Sequence, residues 1–300
     1  MSAPFHNSGI SAGGNIGDIG NITGSFNTVP TGANREPDRP GPERRADVAV
    51  LTVLDQEMYA VKEVFERTGT CQRVTLDDGT PVYEATFGPP QRRLRAVLAR
   101  TLGRGQRSTA IAWTNLRKHY APTVIALVGV GGGIRDTVRI GDVVVADQVI
   151  YYDEYREAAA AVYRRGEAAA VPAGIAVVLG DLFGSHDGAF RLADPQPDGR
   201  TDLFTVVRGP IGSGGAVITN ARSRIRQYLQ QFHEKTVAVD TEAGGLVQAF
   251  HEENRPGSDL VGWLVIRGIS DHADQAKGHQ HHSVAARHAA QVFELIIARL

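Results

Sequence analysis

With 300 residues, 42% of them hydrophobic and 22% charged, the chain has an ordinary globular composition and the length of one large or two ordinary domains. Its formal net charge of −1 gives no support for electrostatic binding to nucleic acid or to an anionic membrane, and we expect neither partner. Since the sequence has no long apolar run and no basic segment followed by an apolar stretch at the N-terminus, we expect no membrane span, no signal peptide and a cytoplasmic location.

Residues 1–45 differ in composition from the rest and predict a separate segment. The stretch "HNSGISAGGNIGDIGNITGSFN" is rich in Gly, Asn and Ser, and "TVPTGANREPDRPGPERR" adds prolines and charge, as in a linker. The low apolar content favours a disordered tail. Isoleucines at 16, 19 and 22, each after Asn or Asp, favour self-assembly through stacked strands instead, although their period of three and the glycines count against a simple strand.

From Ala46 to Leu300, strand and helix patterns alternate, which predicts one α/β domain. Cys71, the one cysteine, excludes an intramolecular disulfide, and we assign it a structural place beside a hairpin strand. In chain order the patterns predict a strand at 46–54, a helix at 57–67, a hairpin at 72–87, a strand at 93–100, a helix at 106–119, strands at 123–130 and 140–153, an Ala-rich helix at 156–170, a polar loop at 185–200, strands at 203–208 and 235–240, a helix at 243–253, a strand at 260–267 and a helix at 282–299.

The near-continuous apolar strand at 123–130 is typical of a sheet covered by helices on both faces. We therefore predict a three-layer α/β/α fold with a mixed, mostly parallel central sheet. In such sheets ligands bind outside the carboxyl ends of the strands. Acidic residues follow three predicted strands, in "DQE" (55–57), "DTE" (240–242) and "SDHAD" (270–274), and the glycine-rich turn "GVGGG" (129–133) follows another. Together these strand ends predict a polar cleft.

Four segments carry a resemblance to a known family: "AVLTVLDQEMYAV", "VIALVGVGGGIRDTVRIGDVVVAD", "VAVDTEAGGLVQAF" and "LVIRGISDHADQ". In order and spacing, residues 46–300 resemble the nucleoside phosphorylase/nucleosidase superfamily, and within it the methylthioadenosine/S-adenosylhomocysteine nucleosidases. The phrases "RGPIGSGGAVI" and "HHSVAARHAAQVFELI" also resemble versions of the domain attached to immune-type or conflict-system proteins. The resemblance implies a purine nucleoside or nucleotide ligand, no cofactor, and at least a homodimer, because relatives complete the 5′ pocket with a neighbouring subunit.

The resemblance also implies catalytic roles for cleavage of the bond between ribose C1′ and purine N9. Asp271 matches the acid that protonates purine N7, and Ser270 the residue that orients it. A carboxyl donates that proton only if it is partly protonated near neutral pH, which burial or a nearby carboxylate would favour. Glu57 matches the base that activates water. Its position alone also fits an acidic residue in the first turn of a helix, where it suits the helix dipole.

Substrate-binding roles follow in the same way. Glu242 matches the glutamate that accepts both ribose hydroxyls, with Asp240 in support. The resemblance assigns further substrate contacts to Thr241, Arg267, the backbone amides of Val130, Gly131 and Gly132, and the adenine-holding pair Val217 and Ile218. Three of these positions depart from the family, where a serine is frequent at Val130, a methionine at Thr241 and an aromatic residue at Val217.

Arg104, in "LGRG" (102–105), stands where the nucleosidases have an apolar residue near the 5′ substituent. A guanidinium there favours a phosphate or carboxylate over a thioether, so a 5′-nucleotide such as AMP or ATP is one candidate substrate. A solvated loop arginine is the alternative interpretation.

Two other functions remain open from the sequence. A phosphorylase needs arginines near the first and central turns, and the central turn has none before Arg135, which favours water as nucleophile. A nucleotide-sensing or effector module in a defence-type assembly, joined through the tail, is a non-enzymatic alternative. In "DHADQAKGHQHHS" (271–283), His279, His281 and His282 predict a solvated loop rather than a metal site, and Lys277 or a histidine is a candidate for closing over the substrate.

Overall fold

A computed structural model describes residues 44–159, 161–184, 186, 188–196, 198–275 and 278–300. The predicted tail and linker lie outside the described residues, except for positions 44 and 45. The boundary between residues 1–45 and 46–300 therefore stays a prediction. Lys277 also lies outside the described residues, so its predicted approach to the substrate is untested.

The described residues form six helices, α1 (Asp55–Arg67), α2 (Gln106–Tyr120), α3 (Ala173–Gly184), α4 (Arg224–Phe232), α5 (Ala243–Glu253) and α6 (His282–Ile297). Every helix in this part of the chain is too short or too polar to span a bilayer. The strands are β1 (Val48–Thr52), β2 (Gln72–Thr75), β3 (Pro81–Phe87), β4 (Leu94–Arg100), β5 (Val124–Gly133), β6 (Val143–Tyr151), β7 (Tyr155–Ala158), β8 (Ala161–Arg164), β9 (Glu167–Ala170), β10 (Ala189–Pro195), β11 (Thr201–Ser213), β12 (Ala238–Asp240) and β13 (Gly262–Asp271).

Eleven of these strands form one sheet in the order β10-β11-β6-β13-β5-β1-β4-β3-β2, with β12 paired to β11 and β5 and with β9 paired to β6. Parallel pairing joins β4, β1, β5 and β13 in the middle, and it joins β11 to β6 and β12. The remaining pairs are antiparallel. The predicted mixed α/β sheet is confirmed.

Helices cover both faces of the sheet, which gives the predicted three layers. α1, α3 and α6 pack on one face with residues such as Val50, and α2 and α5 pack on the other with residues such as Leu51. Val50 and Leu51 are neighbours in β1 but enter opposite layers, because successive side chains of a strand point to opposite faces. Each such fully buried side chain stabilises the fold by roughly 1.5–3 kcal/mol. The two apolar layers therefore hold the strand ends in fixed positions.

The region from 155 to 200 differs from the prediction. The helix predicted at 156–170 is wrong, because this stretch contains β7, β8 and β9. β9 pairs antiparallel with β6, so backbone pairing along a sheet strand prevails over the helix propensity of its alanines. The polar loop predicted at 185–200 contains β10, which pairs with β11. The sequence patterns predict neither α3 nor α4.

Candidate active site

A cavity lies at the carboxyl ends of the parallel strands β1, β5 and β13, where the sequence predicts a polar cleft. It is lined by most of the predicted site residues, namely Glu57, Arg104, Val130, Gly131, Gly132, Val217, Ile218, Thr241, Glu242 and Ser270. Arg267 and Asp271 do not line the cavity, although each is in contact with residues that do.

Glu57 lies in the first turn of α1, and only 2% of its surface is exposed. Its Oε2 accepts hydrogen bonds from the backbone N–H groups of Val53 (2.7 Å) and Leu54 (2.8 Å), and its Oε1 accepts one from Val130 (2.8 Å). Burial raises the pKa of Glu57, while the charge of Arg267 and these three hydrogen bonds oppose that rise. Because a carboxylate oxygen accepts two hydrogen bonds, Oε1 keeps an acceptor position after binding Val130. The Val130 amide thus serves Glu57 rather than a ligand.

Arg267, in β13, is fully buried and joins the acidic residues that follow β12. Its Nε and Nη2 donate to Asp240 Oδ2 at 2.9 and 2.5 Å, and Nη2 also donates to Glu242 Oε2 at 3.3 Å. Asp240 in turn accepts the backbone N–H of Ala243, in the first turn of α5. Arg267 was predicted to bind substrate directly. The structure instead places it where it compensates and orients the buried carboxylates.

Glu242 lies between β12 and α5, with 6% of its surface exposed. Its Oε1 accepts a hydrogen bond from Thr241 Oγ1 (2.5 Å) and one from the backbone N–H of Gly105 (3.0 Å). Although Glu242 is the N-cap residue of α5, its side chain makes no capping hydrogen bond to that helix. The side chain is therefore directed to the cavity and the Gly105 turn, not to its own helix end.

Asp271 ends β13, which runs past the predicted end at 267 because it continues to pair with the glycines of β5. Ser270 Oγ donates to Asp271 Oδ2 at 2.9 Å, and the backbone N–H of Ala273 donates to Oδ1 at 2.9 Å. Ser270 and Ala273 line the cavity on either side of Asp271 in the sequence. Gly132 pairs with Asp271 in the sheet, so the acid lies at the glycine-rich end of β5.

The outer part of the cavity is formed by loops. Val217 is 61% exposed, whereas Ile218 is buried, so a flat ligand in this part of the cavity would cover Val217. Arg104 is exposed, and its guanidinium makes no hydrogen bond or ion pair with any residue that the structure describes.

The sequence analysis favoured a solvated loop for His279 and His282 and named a histidine of this segment as a candidate for closing over the substrate. Both histidines line the cavity. His279 Nδ1 lies 3.4 Å from His282 Nε2, and the two rings meet edge to face with centroids 4.7 Å apart. The one signal in the sequence is their closeness to Asp271 in a single segment. Among the described residues, no group of three or more His, Cys, Asp or Glu side chains could hold a metal ion.

The family model of the Phosphorylase superfamily matches residues 47–300. The chain belongs to this superfamily, and the family inferred from its motifs is confirmed. In this chain the superfamily domain is a helix-covered mixed sheet with acidic strand ends at one cavity.

Solved structures with this fold include nucleosidases. The 5′-methylthioadenosine/S-adenosylhomocysteine nucleosidase of Neisseria meningitidis, in complex with methylthio-immucillin-A, has 20% identity and a TM-score of 0.64, over 84% of this chain and 99% of that chain. The corresponding nucleosidase of Helicobacter pylori has 15% identity and a TM-score of 0.64, over 86% and 100%. Futalosine hydrolase of Helicobacter pylori has 15% identity and a TM-score of 0.63, over 84% and 97%. These likenesses establish the shared fold.

Proposed function

We propose that this protein is a purine nucleosidase that hydrolyses the N-glycosidic bond of an adenine nucleoside or 5′-nucleotide. The observation that carries the proposal is the convergence of Glu57 and Glu242 on one cavity, each held by backbone N–H groups. The fold is shared with nucleosidases and with a futalosine hydrolase, which supports hydrolysis of such a bond.

In this proposal Glu57 activates the water. Its remaining acceptor position on Oε1 suits a water hydrogen, and its raised pKa makes it a better proton acceptor than an ordinary glutamate. The attack places the water oxygen on C1′ as the C1′–N9 bond breaks, and the water gives up one proton.

Asp271 is the proposed acid. Its two oxygens are fixed by Ser270 Oγ and the Ala273 N–H, both from residues at the cavity, so its carboxyl is held in one orientation. Protonation of purine N7 neutralises the negative charge that the leaving base would otherwise carry. Asp271 is not itself a lining residue, but a β-carbon on the lining residue Gly132 would lie 3.2 Å from Asp271 Oδ1, so in this proposal the base reaches the acid beside Gly132.

Glu242 is the proposed ribose-binding residue. Among the described residues its Oε2 accepts a single long hydrogen bond, 3.3 Å from Arg267 Nη2, so it keeps capacity for hydroxyl donors. The carboxylate also favours the positive charge that develops on the ribose ring in the transition state.

The charges of the cavity favour water over inorganic phosphate. Glu57, Asp240 and Glu242 line it, and Arg104 is the one arginine or lysine among the described lining residues. Arg267 is engaged by two of these carboxylates, and Arg135 lines a different cavity. A phosphate dianion beside C1′ would lie among acidic side chains without a cation of its own.

We also propose a homodimer, as the family resemblance implies. A groove beside the active site contains Leu102, which is fully exposed, and Ile111, which is 55% exposed. Arg104 lines both this groove and the active-site cavity, so a second copy covering these apolar side chains would also close the cavity's outer end. Light scattering should give a dimer mass that Leu102→Glu reduces to the monomer, and a wild-type monomer at micromolar concentration would contradict this proposal.

The test of the enzyme is chromatography of free base after incubation with methylthioadenosine, S-adenosylhomocysteine, adenosine, inosine, AMP and ATP, each with and without phosphate. Adenine released without phosphate is the expected result. Release that needs phosphate would identify a phosphorylase, and no release from any compound would favour a binding or effector module.

A further inference from the structure

Among the described residues, the cavity contains one arginine side chain that makes no hydrogen bond or ion pair. Its acidic lining residues Glu57, Asp240 and Glu242 all accept hydrogen bonds from backbone N–H groups or from Arg267. The guanidinium of Arg104 lines the same cavity, is exposed, and has no partner in the described part of the chain. Because arginine stays charged at physiological pH, this leaves a positive group available to a ligand.

Arg104 lies next to the proposed ribose site. Its neighbour Gly105 donates its backbone N–H to Glu242 Oε1 at 3.0 Å, which fixes the 102–105 turn against the carboxylate that would hold the ribose hydroxyls. The base side of the cavity is lined instead by the segment containing Val217 and Ile218. Among the described lining residues Arg104 is the one arginine or lysine, and the contact of Gly105 with Glu242 places it on the ribose side of the cavity.

Two imidazole rings add hydrogen-bond donors to this cavity. His279 and His282 line it, and His282 is the first residue of α6. The first turn of that helix contains no acidic residue. His279 Nδ1 and His282 Nε2 lie 3.4 Å apart and can share one hydrogen, which leaves a further nitrogen on His279 able to donate or accept.

We propose that Arg104, supported by His279 and His282, binds a 5′-phosphate, and that the substrate is an adenine 5′-nucleotide rather than a thioether nucleoside. This inference rests on the proposed function. A guanidinium forms paired hydrogen bonds with phosphate oxygens, and a neutral thioether would displace water from it without replacing those bonds. For AMP the reaction balances as AMP plus water giving adenine and ribose 5-phosphate, with the C1′–N9 bond broken and the phosphate unchanged. ADP or ATP would give the corresponding ribose 5-diphosphate or 5-triphosphate.

The first experiment compares kcat/KM for AMP, ADP, ATP, adenosine and methylthioadenosine in wild-type protein, Arg104→Leu, His279→Ala and the control Arg73→Leu. Arg73 is an exposed arginine of β2 that lines neither the active-site cavity nor the groove proposed for the dimer. We expect the wild type to prefer a nucleotide. Arg104→Leu should lower kcat/KM for the preferred nucleotide by about tenfold to a hundredfold and have a much smaller effect on kcat/KM for adenosine. His279→Ala should also lower kcat/KM for the nucleotide more than for adenosine, and Arg73→Leu should change neither.

The second experiment separates the two proposals. Calorimetry with Asp271→Asn, which should bind substrate but turn it over about 10²–10⁴ times more slowly, measures affinity for AMP and for adenosine with and without Arg104→Leu. If adenine is released but kcat/KM for adenosine or methylthioadenosine equals or exceeds that for the nucleotides, the phosphate inference alone is overturned. No release, together with Arg104-dependent binding of AMP, would overturn the nucleosidase and keep the phosphate subsite. No release and no binding would overturn both.

Discussion

Glu57 and Arg267 approach each other across Gly129: a β-carbon on this glycine would lie 2.4 Å from Glu57 Oε1 and 2.7 Å from Arg267 Nη1. Both side chains thus occupy the space that any other residue at position 129 would need. Arg267 Nη1 makes no hydrogen bond among the described residues, so its interaction with Glu57 is electrostatic rather than a direct hydrogen bond. Gly129 therefore allows a buried carboxyl group and a buried guanidinium to share one edge of the sheet.

Gly129→Ala should displace Glu57 or Arg267 and impair both stability and activity. The contact distances fall below what a side chain tolerates, and overpacking of this kind costs about 1–3 kcal/mol. We expect a lower melting temperature and a strong loss of kcat/KM. The matched control is Gly180→Ala in α3, where a β-carbon meets no atom within 4 Å. That change should raise stability slightly and leave activity unchanged. Equal activity of the two variants would contradict the role assigned to Gly129.

The raised pKa of Glu57 predicts opposite effects of pH on activity and on stability. As a base it works only when ionised, so kcat/KM should rise with pH through a value above the ordinary glutamate range of about 4.3. Because the folded protein holds this proton more tightly than the unfolded chain, Glu57 lowers stability as pH rises from that ordinary value through its folded pKa.

Denaturant midpoints of wild type and Glu57→Gln across pH check the stability half of this prediction. The difference in midpoint between the two proteins should change as pH rises from the ordinary glutamate pKa through the folded pKa of Glu57, and it should be constant at higher pH. Three backbone N–H groups donate to the wild-type carboxylate. Because Glu57→Gln places an amide N–H₂ group against these donors, we also expect a loss of stability that does not depend on pH. A pH-independent difference at all values would show that the carboxyl titrates normally.

The sequence predicts the acidic cavity well because its signal is local. An apolar run followed by acidic residues marks a strand end, and this rule places Glu57 and Glu242 at the cavity, whereas their proposed roles come from the family resemblance. The hydrogen-bond partners do not follow from it. Arg267 meets Asp240 because β13 pairs with β5 and β5 pairs with β12, a non-local arrangement that no nearby residues encode.

The position of the histidines at the cavity and the strands at 156–170 could not be predicted from the sequence for the same physical reason: both depend on contacts between distant parts of the chain. His279 and His282 reach the cavity because α6 packs across β5 and β13, and the loop pattern around them contains no trace of that packing. In the Ala-rich stretch, helix propensity is a weak preference that pairing with β6 overrides. Local composition therefore predicted the carboxylates of the cavity but not the structure of the segments that surround it.

Asp194, which does not line the active-site cavity, should make the stability of the protein sensitive to acid. Burial works to raise its pKa, but hydrogen bonds from Arg287 (2.6 Å) and His288 (3.0 Å) outweigh it and lower the pKa of Asp194 to about 2. A carboxyl with a depressed folded pKa stabilises the protein above its unfolded value and loses that contribution as pH falls toward 2. The shift corresponds to roughly 2–3 kcal/mol.

Arg287→Met checks this prediction, because the exposed end of Arg287 can be removed without opening the core. Stability of the wild type should fall more steeply between about pH 4 and pH 2 than that of Arg287→Met. Identical slopes would mean that other carboxyls account for the acid unfolding. Activity at neutral pH should be the same in both proteins, since neither residue lines the active-site cavity.

Asp271→Asn tests the proposed acid with little change of structure. The amide oxygen can accept the Ala273 N–H, and the amide N–H₂ can donate to Ser270 Oγ, since a hydroxyl both donates and accepts. The fold should therefore keep its melting temperature while kcat falls by about 10²–10⁴, as expected for loss of a general acid. Ser270→Ala is the comparison: it removes one hydrogen bond from the carboxyl but keeps the proton donor, so kcat should fall less than in Asp271→Asn.

A substrate whose base leaves without N7 protonation should show little loss of kcat in either variant. If Asp271→Asn lowers kcat equally with such a substrate, Asp271 has a binding role instead.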